Sequence, residues 1–444
     1  MAKILIAGIG GGKNKKTGNY NTINYSIDEK IYKNRSFITS ALEEHFDIDK
    51  IIYIGTTGSM WDNLYNFYCE KYHIDYDENY YLYLMENIEK ANENTDIFNF
   101  DIDTFNKTFD GKIKAKLTHY GINEGEIFNN FNIIMDLQDE LNEGDEVYID
   151  ITHAFRSNAM WMFLVMNFIT DVIDKNIKIK AITYGMFEIK NWDTNTAPII
   201  DLNAFYKLLK WIKGAETFKN YGNIYPVLDS IENNEVKKKL EAFSNAMNLN
   251  YIGSLKQSIK SLKRIMPLID NIKGPGKILI PSIVKEFIYE FDGIEEDYLI
   301  QVKLAKWHYS QKRYALAYLN LNESITRFIF EELKDFFPSS TEDDELKYAK
   351  NWINQLKPYF VGKNLRPMNL PENKAKKLKE YYKVREQCRK ARNDIAHSSG
   401  DKDKAINYIN NLKSLCDKVE RLLLDKSFIY NCELELKFSE KIKK

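Results

Sequence analysis

The sequence predicts an α/β amino-terminal half followed by an all-α carboxyl-terminal half. In the first half, short apolar runs typical of strands alternate with longer stretches of helical spacing. Proline marks the change, because none of the nine prolines precedes Pro198 and the last is Pro371. Alternation of strands and helices favours a mostly parallel, doubly wound sheet. A chain of 444 residues has room for two or three domains, at roughly 100–200 residues per domain.

The predicted strands of the first half are short and rich in isoleucine and tyrosine. They are Lys3–Gly8, Lys50–Gly55, Lys112–Thr118, Glu146–Ile151 and Ile177–Tyr184. Longer segments, with apolar residues three or four positions apart, predict helices between these strands. The predicted helices are Ser36–His45, Ser59–Lys71, Glu124–Leu141 and Ala154–Asp174.

Helical spacing dominates from Leu202 onward and is broken by segments that contain glycine or proline. The breaks are Gly222–Pro226, Gly274–Gly276, Pro338–Asp344 and Val361–Pro371. Apolar residues that recur at intervals of three and four predict one buried helix face. They are Tyr314, Tyr318, Leu321, Ile325 and Phe328. Near the end, Phe428–Phe438 partly alternates, which indicates a late strand or hairpin.

Composition excludes several classes of protein. With 44% hydrophobic residues the chain is not disordered, and a formal net charge of −1 gives no global attraction to nucleic acid or anionic membranes. The four cysteines lack C-x-x-C spacing, which argues against a zinc site and a secreted disulfide framework and favours a reducing cytoplasm. They are Cys69, Cys388, Cys416 and Cys432. No apolar stretch predicts a membrane span or a signal peptide.

Three loops with unusual residues follow predicted strands, where a doubly wound sheet binds ligands. The first loop contains Gly8, Gly10, Gly11 and Gly12 and continues as a polar loop, Lys13–Ser26, with Asn19, Tyr20 and Tyr25. The second is Gly55–Ser59, with Thr56 and Ser59, and the third contains Asp150, Thr152, His153 and Arg156. Together the three loops form one candidate site.

The residue types of these loops favour a nucleotide ligand. Glycines let the backbone approach phosphates, and aromatic rings stack on bases. Ser59 and Thr152 suit helix N-caps, and tight turns need such glycines and caps even without a ligand. A dinucleotide cofactor, and with it a Rossmann-type oxidoreductase, is the weaker hypothesis, because a polar loop rather than a helix follows the glycines.

The third loop resembles the CARF sensor domains of type III CRISPR ancillary proteins. The similarity lies in the D-x-T-H motif Asp150–His153 with Arg156, and in the glycine loop leading to Gly18-Asn19-Tyr20 and Tyr25. It covers about residues 1–220. Ala154 stands where the D-x-T-H-G branch usually has glycine, and the first loop is lengthened by lysines. The resemblance implies a cyclic oligoadenylate, a tetra- or hexa-adenylate, as the ligand.

A basic helix is predicted near the end of the chain. Nine basic and two acidic residues lie within Lys374–Arg392, which gives a net charge of +7 and predicts either a phosphate-binding face or a solvated helix. The helix ends in Arg392-Asn393-Asp394-Ile395-Ala396-His397. A histidine can exchange protons with a ribose hydroxyl near neutral pH, and a guanidinium can offset phosphate charge. Such a pair is the minimum for cutting RNA without a metal.

This R-x-x-x-x-H motif, at the end of a basic helix in an all-α region, resembles the catalytic motif of HEPN ribonucleases over about residues 295–425. The resemblance implies Arg392, His397 and Asn393 as catalytic residues and Arg389, Arg385 and Lys390 as RNA-binding residues. The predicted domains are a sensor over residues 1–220, a helical connector over 221–292 and a nuclease over 293–444.

The order of the two resemblances predicts a homodimeric, metal-independent endoribonuclease that a cyclic oligoadenylate activates. It would degrade single-stranded RNA in antiviral defence and would have no membrane partner, no metal and no other cofactor. The alternative is a non-catalytic sensor whose helical half only binds RNA or a partner.

Overall fold

The computed structural model describes residues 1–11, 22–153, 156–171, 175–336, 342–362, 370–397 and 402–429. The chain forms two compact units, Met1–Lys207 and Leu208–Lys444. The first unit is built on a sheet covered by helices, and the described part of the second unit is helical. The predicted division into an α/β half and an α-helical half is confirmed.

One eight-stranded sheet organises the described part of the first unit. Its strands are β1 (Lys3–Gly8), β2 (Ile23–Ile27), β3 (Lys30–Arg35), β4 (Lys50–Gly55), β5 (Ile113–Leu117), β6 (Glu146–Asp150), β7 (Lys178–Gly185) and β8 (Thr196–Asp201). The strand order is β3-β2-β8-β7-β6-β1-β4-β5. The strands from β7 to β5 are parallel, whereas β8 is antiparallel to β7 and β3 is antiparallel to β2. A parallel centre is therefore extended into a mixed sheet.

Helices cover both faces of this sheet. They are α1 (Ile38–Phe46), α2 (Trp61–Tyr72), α3 (Glu78–Lys90), α4 (Asp103–Thr108), α5 (Glu124–Met135) and α6 (Arg156–Asp171). Side chains alternate along a strand, so Leu5 and Ala7 of β1 pack in one apolar cluster while Ile4 and Ile6 pack in the other. All four are at most 1% exposed. Burial of β1 on both faces confirms the doubly wound arrangement.

The sequence prediction missed three strands, and one of them corrects the predicted polar loop Lys13–Ser26. That segment ends in β2, where Ile23, Tyr25 and Ile27 alternate with polar residues and are buried. A two-residue turn then leads into β3, with Asp28 in the left-handed conformation at φ 51°. Polar residues before and after β2 obscured the alternation of apolar and polar residues that predicts a strand.

Helix bounds in the first unit differ modestly from prediction. The helix predicted over Glu124–Leu141 was too long, because α5 ends at Met135 and a 3₁₀ turn follows over Asp136–Glu140. The helix predicted from Ser59 begins at Trp61. Helices α3 and α4 were not predicted. The ends of the helix predicted over Ala154–Asp174 lie outside the described residues.

The second unit is a helical bundle, and the boundary between the units falls within its first helix, α7. The helices are α7 (Asn203–Tyr221), α8 (Asn234–Leu249), α9 (Ile252–Arg264), α10 (Met266–Ile269), α11 (Gly276–Phe291), α12 (Asp297–Ser310), α13 (Tyr314–Leu333), α14 (Glu342–Gln355), α15 (Lys357–Phe360), α16 (Glu372–Ala396) and α17 (Lys402–Leu424). One apolar cluster joins α7 to α11 with part of α12, and a second joins α12 to α17. The predicted connector, residues 221–292, therefore contributes most of a core.

The predicted apolar face of α13 lies in the second of these clusters. Tyr318, Leu321, Ile325 and Phe328 are at most 1% exposed, and Tyr314 is partly buried against the same cluster. Helix α16 packs on this face, where the Tyr381 hydroxyl donates to the Ile325 carbonyl at 2.7 Å. The strand predicted over Phe428–Phe438 begins as a 3₁₀ turn that ends at Phe428, and the rest of it lies outside the described residues.

We expect Gly55→Ala to destabilise the first unit. A Cβ atom at Gly55 would lie 2.5 Å from Ile9 Cγ2 and 2.8 Å from Trp61 Cζ2, and overpacking of this kind costs about 1–3 kcal/mol. Thermal melting followed by circular dichroism should show a lower midpoint. The control is Gly253→Ala in α9, where a Cβ atom would meet nothing within 4 Å. An unchanged midpoint for Gly55→Ala would contradict the packing described for β4.

Candidate functional site

The carboxyl ends of β1, β4 and β6 lie side by side in the first unit. Strand β1 pairs with β4 through Gly8 and Ile54 on one side, and with β6 through Ala7 and Asp150 on the other. After β1 the chain forms β2 and β3 at the far edge of the sheet, then adds β4 and β5 on one flank of β1, and then adds β6 on the other flank. Such a switch point is where sheets of this kind bind ligands. The structure brings the three predicted loops together.

The glycine loop after β1 runs against the backbone of both neighbouring loops. A Cβ atom at Gly10 would lie 3.3 Å from the His153 carbonyl oxygen, and one at Gly11 would lie 3.0 Å from the Gly58 carbonyl oxygen. The Met60 amide donates to the Gly10 carbonyl at 3.2 Å. A side chain at either position would crowd this backbone, so Gly10 and Gly11 allow the three loops to meet in one surface.

The loop after β4 is stabilised by its own hydrogen bonds. The Ser59 hydroxyl donates to the Ile9 carbonyl at 2.9 Å and accepts from the Thr56 amide at 3.0 Å. The Trp61 indole donates to the Thr56 carbonyl at 2.8 Å. The N-cap prediction for Ser59 was wrong, because α2 begins at Trp61 after Met60. Thr56 and Ser59 are 3% and 2% exposed, so neither side chain lines an open surface, and the Ser59 hydroxyl and the Thr56 backbone stabilise the loop.

A buried carboxylate organises the third loop. Asp150 is fully buried and accepts hydrogen bonds from the Thr152 hydroxyl at 2.8 Å and the Thr183 hydroxyl at 3.0 Å. The Thr152 hydroxyl in turn accepts from the Gly185 amide at 2.7 Å. The described part of α6 begins at Arg156 and the two residues before it lie outside the described ranges, so the N-cap role of Thr152 stays a prediction. Its side chain connects the ends of β6 and β7.

Burial sets the ionisation of this loop. It raises the pKa of Asp150 to about 6, although the hydrogen bonds from Thr152 and Thr183 favour the carboxylate. Burial also lowers the pKa of His153 to about 4, so the imidazole is neutral at pH 7. A neutral imidazole has one donor and one acceptor nitrogen, and His153 can therefore recognise a polar ligand group without adding charge.

An aromatic side chain missed by the sequence analysis adjoins His153. The ring of Phe187, which follows β7, lies 5.8 Å from the His153 ring and 6.1 Å from the Tyr25 ring, centroid to centroid. Phe187 is 37% exposed, whereas Tyr25 is 2% exposed. Tyr25 was predicted to lie in a loop of the ligand site. Its buried ring instead packs against the ring of Phe187. The sequence signal that could have identified Phe187 as a site residue is its position shortly after the last predicted strand.

Several predicted ligand residues cannot be placed in this arrangement. Gly12, Asn19 and Tyr20 lie outside the described residues. Arg156 is the first residue of α6, and its side chain lies outside the described part of the structure.

The second candidate site is the carboxyl end of α16. His397 is exposed at the C-cap and its amide donates to the Asn393 carbonyl at 2.9 Å, which continues the helical bonding by one residue. Arg392 is partly buried and donates to the Asn393 side-chain oxygen at 3.2 Å. Five helical positions place Arg392 and His397 about 140° apart around the axis. The two catalytic candidates therefore face different directions from one helix.

Contacts with α17 support this end of α16. The Tyr408 hydroxyl donates to Asp394 Oδ2 at 2.7 Å, and Lys404 lies 3.8 Å from the same carboxylate oxygen. Burial and the bond to Asp394 raise the pKa of Tyr408 to about 12, so this hydroxyl remains a donor. The Tyr318 hydroxyl of α13 donates to the Tyr408 carbonyl at 2.8 Å. Three helices thereby position the segment that carries His397.

The three predicted RNA-binding residues differ in their surroundings. Arg385 is 8% exposed and forms an ion pair with Glu386, so its proposed contact with RNA is corrected to a role within the bundle. Arg389 also pairs with Glu386, at 2.9 Å. Burial raises the pKa of Glu386, but the bonds from Arg389 and Arg385 outweigh that effect and lower it. Lys390 is exposed, and its contact with RNA stays a prediction.

The described ranges contain neither a candidate metal site nor a candidate membrane-spanning helix. No group of three or more histidine, cysteine, aspartate or glutamate side chains there could hold a metal ion. None of the helices that the structure describes is both long and apolar enough to cross a membrane.

Two regions of the chain are similar to CRISPR-associated families, and the first of them is a CARF domain. Residues 4–188 match the family model of the CARF domain of CRISPR system endoribonuclease Csx1. Residues 207–294 match the second domain of CRISPR-associated protein MJ1674. The second match falls on the helices predicted to be a connector.

Among curated proteins, the chain is similar to CRISPR-associated protein MJ1674 of Methanocaldococcus jannaschii, with 33% identity over 346 residues. The alignment covers 73% of this chain and 53% of that protein, so the chain spans about half the length of this relative. Among solved structures, Enterococcus italicus Csm6 bound to cyclic hexa-2′-fluoro-hexa-dAMP aligns over 96% of this chain and 94% of that chain. The identity is 12% and the TM-score 0.36, which is too low to indicate a shared fold.

We expect Asp150 to make a measurable contribution to the pH dependence of stability. Its pKa is higher in the folded chain than the ordinary value of 3.8, so its contribution is fully present below pH 4 and is lost as pH rises through about 6. The size is about 3 kcal/mol. The difference in melting midpoint between wild type and Asp150→Asn should change across this range and be flat above pH 7. A difference that does not vary between pH 4 and 7 would contradict the assignment.

Proposed function

We propose that this protein is an endoribonuclease that a cyclic oligoadenylate activates in type III CRISPR antiviral defence. The proposal combines a ligand site in the CARF domain with metal-independent cleavage of single-stranded RNA at the end of α16. The observation that carries it is the coexistence in one chain of a matched CARF domain over residues 4–188 and an exposed His397 in an R-x-x-x-x-H motif.

At the proposed ligand site, the loops after β1 and β6 provide complementary groups. Gly11 is exposed, so a phosphate or ribose can approach its backbone closely. Neutral His153 can exchange hydrogen bonds with the ligand without adding charge. The half-exposed ring of Phe187 offers a face on which an adenine can stack. This set suits a nucleotide whose phosphates lie near the glycines.

At the proposed nuclease site, the 2′-hydroxyl of the substrate attacks the adjacent phosphorus. A bond forms between the 2′-oxygen and phosphorus, the bond to the 5′-oxygen breaks, and the products carry a 2′,3′-cyclic phosphate and a 5′-hydroxyl. His397 exchanges the proton that leaves the 2′-oxygen or reaches the 5′-oxygen. Arg392 offsets the charge that develops on the phosphate, and Asn393 holds the guanidinium.

A homodimer would connect the two sites. An even-numbered cyclic oligoadenylate can have two-fold symmetry and so matches two copies of one pocket across a two-fold axis. Exposed apolar residues on α6, Met160 at 71% and Leu164 at 54%, support a further interface in the CARF domain. The 140° separation of Arg392 and His397 in one helix also favours a composite site built from two chains. Ligand binding would then shift the population of the active arrangement.

We expect His397→Ala to lower cleavage by about 10²–10⁴-fold, because a positioned acid–base group contributes that much. The measurement is cleavage of a labelled single-stranded RNA in EDTA with cyclic tetra- and hexa-adenylate supplied in turn. Asn410→Ala, at an exposed position on α17, is the matched control. Full activity of His397→Ala, or loss of wild-type activity in EDTA, would contradict the mechanism. Activator binding without any cleavage would favour the non-catalytic sensor.

We expect His153→Ala to weaken activator binding at least tenfold, because the substitution removes both polar atoms of the side chain from the proposed site. Calorimetric titration gives the affinity, and RNA cleavage should return at higher activator concentration. His73→Asn is the control, since His73 is exposed at the end of α2 at φ 56°, a conformation that asparagine tolerates. An unchanged affinity with a lower melting midpoint would assign His153 a purely structural role.

A further inference from the structure

The basic residues of α16 divide into two groups. Several have partners within the bundle: Lys377 pairs with Asp425, and Arg385 and Arg389 pair with Glu386. Four lysines of the same helix, Lys376, Lys379, Lys383 and Lys390, are exposed and form no ion pair with the described residues. The positive charge that the sequence concentrates in this helix is therefore available to solvent only along part of its surface.

Three of these exposed lysines are in register with the catalytic candidate His397. Lys376, Lys383, Lys390 and His397 are spaced by seven residues, and a straight α-helix drifts only about 20° over seven residues. All four side chains therefore lie on one side of α16. We call the three lysines on this side, Lys376, Lys383 and Lys390, the lysine stripe. At 1.5 Å per residue, the stripe runs for about 20 Å, and His397 lies about 10 Å beyond its last lysine.

Most acidic residues of α16 that lie three or four positions from a lysine of the stripe have other partners. Glu380, four positions from Lys376, lies 3.4 Å from Lys418 of α17. Glu386, three or four positions from Lys383 and Lys390, pairs with the two arginines. Asp394, four positions from Lys390, accepts from the Tyr408 hydroxyl. Glu372, four positions before Lys376, is exposed and can offset part of the charge of that lysine. On α16, the only carboxylates three or four positions from Lys383 and Lys390 have other partners, so these two lysines retain their positive charge.

We propose that the lysine stripe binds the phosphate backbone of single-stranded RNA and directs it along α16 to His397. The inference deepens the proposed function and rests on its RNA substrate. Ammonium groups at intervals of about two helical turns are point charges on flexible stems, which suits contact with phosphates regardless of base sequence. The stripe contains no aromatic residue, so affinity comes from charge rather than from base stacking.

The test is salt-dependent RNA binding by the full chain carrying His397→Ala, which prevents cleavage during the measurement. Each phosphate neutralised on a single strand contributes about 0.7 to the slope of log K against log salt concentration. Replacing Lys376, Lys383 and Lys390 by glutamine should lower that slope by about 2 and weaken binding by roughly 10–100-fold at 0.1 M salt. Filter binding with a labelled homopolymeric RNA gives both quantities.

The matched control replaces Lys238, Lys260 and Lys277 by glutamine. These three lysines are exposed on α8, α9 and α11 and give the same change in net charge. A control variant that loses as much affinity and slope would overturn the inference, as would RNA binding that the stripe variant retains in full. The melting midpoint of the stripe variant checks that it folds.

The outcomes separate this inference from the proposed function. If RNA binding depends on the stripe but the wild-type protein never cleaves RNA, the result supports RNA binding by the stripe and contradicts the proposed nuclease activity. A second outcome concerns the stripe variant with His397 present. If it cleaves RNA at the wild-type rate at subsaturating RNA, the proposed role of the stripe is wrong and the proposed nuclease activity is unaffected. Binding of anionic vesicles but not RNA by the wild type would overturn the proposal in favour of a lipid surface.

Discussion

The pairing of β1 with β4 on one side and β6 on the other is the constraint on which the ligand site depends. Both faces of β1 are apolar and buried, so the pattern of hydrophobic residues does not by itself select one register over its neighbours. The contacts at its carboxyl end supply that selection. The Ser59 hydroxyl bonds to the Ile9 carbonyl, and the Met60 amide bonds to the Gly10 carbonyl. The residues that shape the loops therefore also fix the central strand.

Asp150 extends this constraint toward β7. A buried carboxylate with a raised pKa lowers the stability of the fold at neutral pH, yet here it holds two hydroxyls and, through Thr152, the Gly185 amide. That arrangement fixes the backbone of the third loop at the point where the His153 carbonyl meets Gly10. A local loss of stability of this kind is expected at functional sites. It is offset by apolar burial on both faces of the sheet.

The sequence revealed the parallel strands and their loops because isoleucine-rich runs followed by glycine are strong local signals. The bounds of β1 and β4 match the prediction to the residue. Phe187 and the position of Tyr25 were not predictable, because their meeting depends on β2 adding to the sheet beside β8, a pairing between distant segments. Arg385 was misassigned for a similar reason: charge counts along a helix do not reveal which side packs against the bundle.

Helix α16 combines an apolar side that packs in the bundle with an exposed basic side. On its inner side, Tyr381, Val384 and Cys388 are at most 1% exposed, and this apolar packing stabilises the helix. Like charges three or four positions apart on the outer side, such as Lys379 and Lys383, destabilise a helix by about 0.2–0.5 kcal/mol per pair. Burial of a single large apolar side chain contributes about 1.5–3 kcal/mol and outweighs that repulsion. The bundle can therefore retain an unneutralised basic surface that leads to His397, and that surface is free to interact with phosphate.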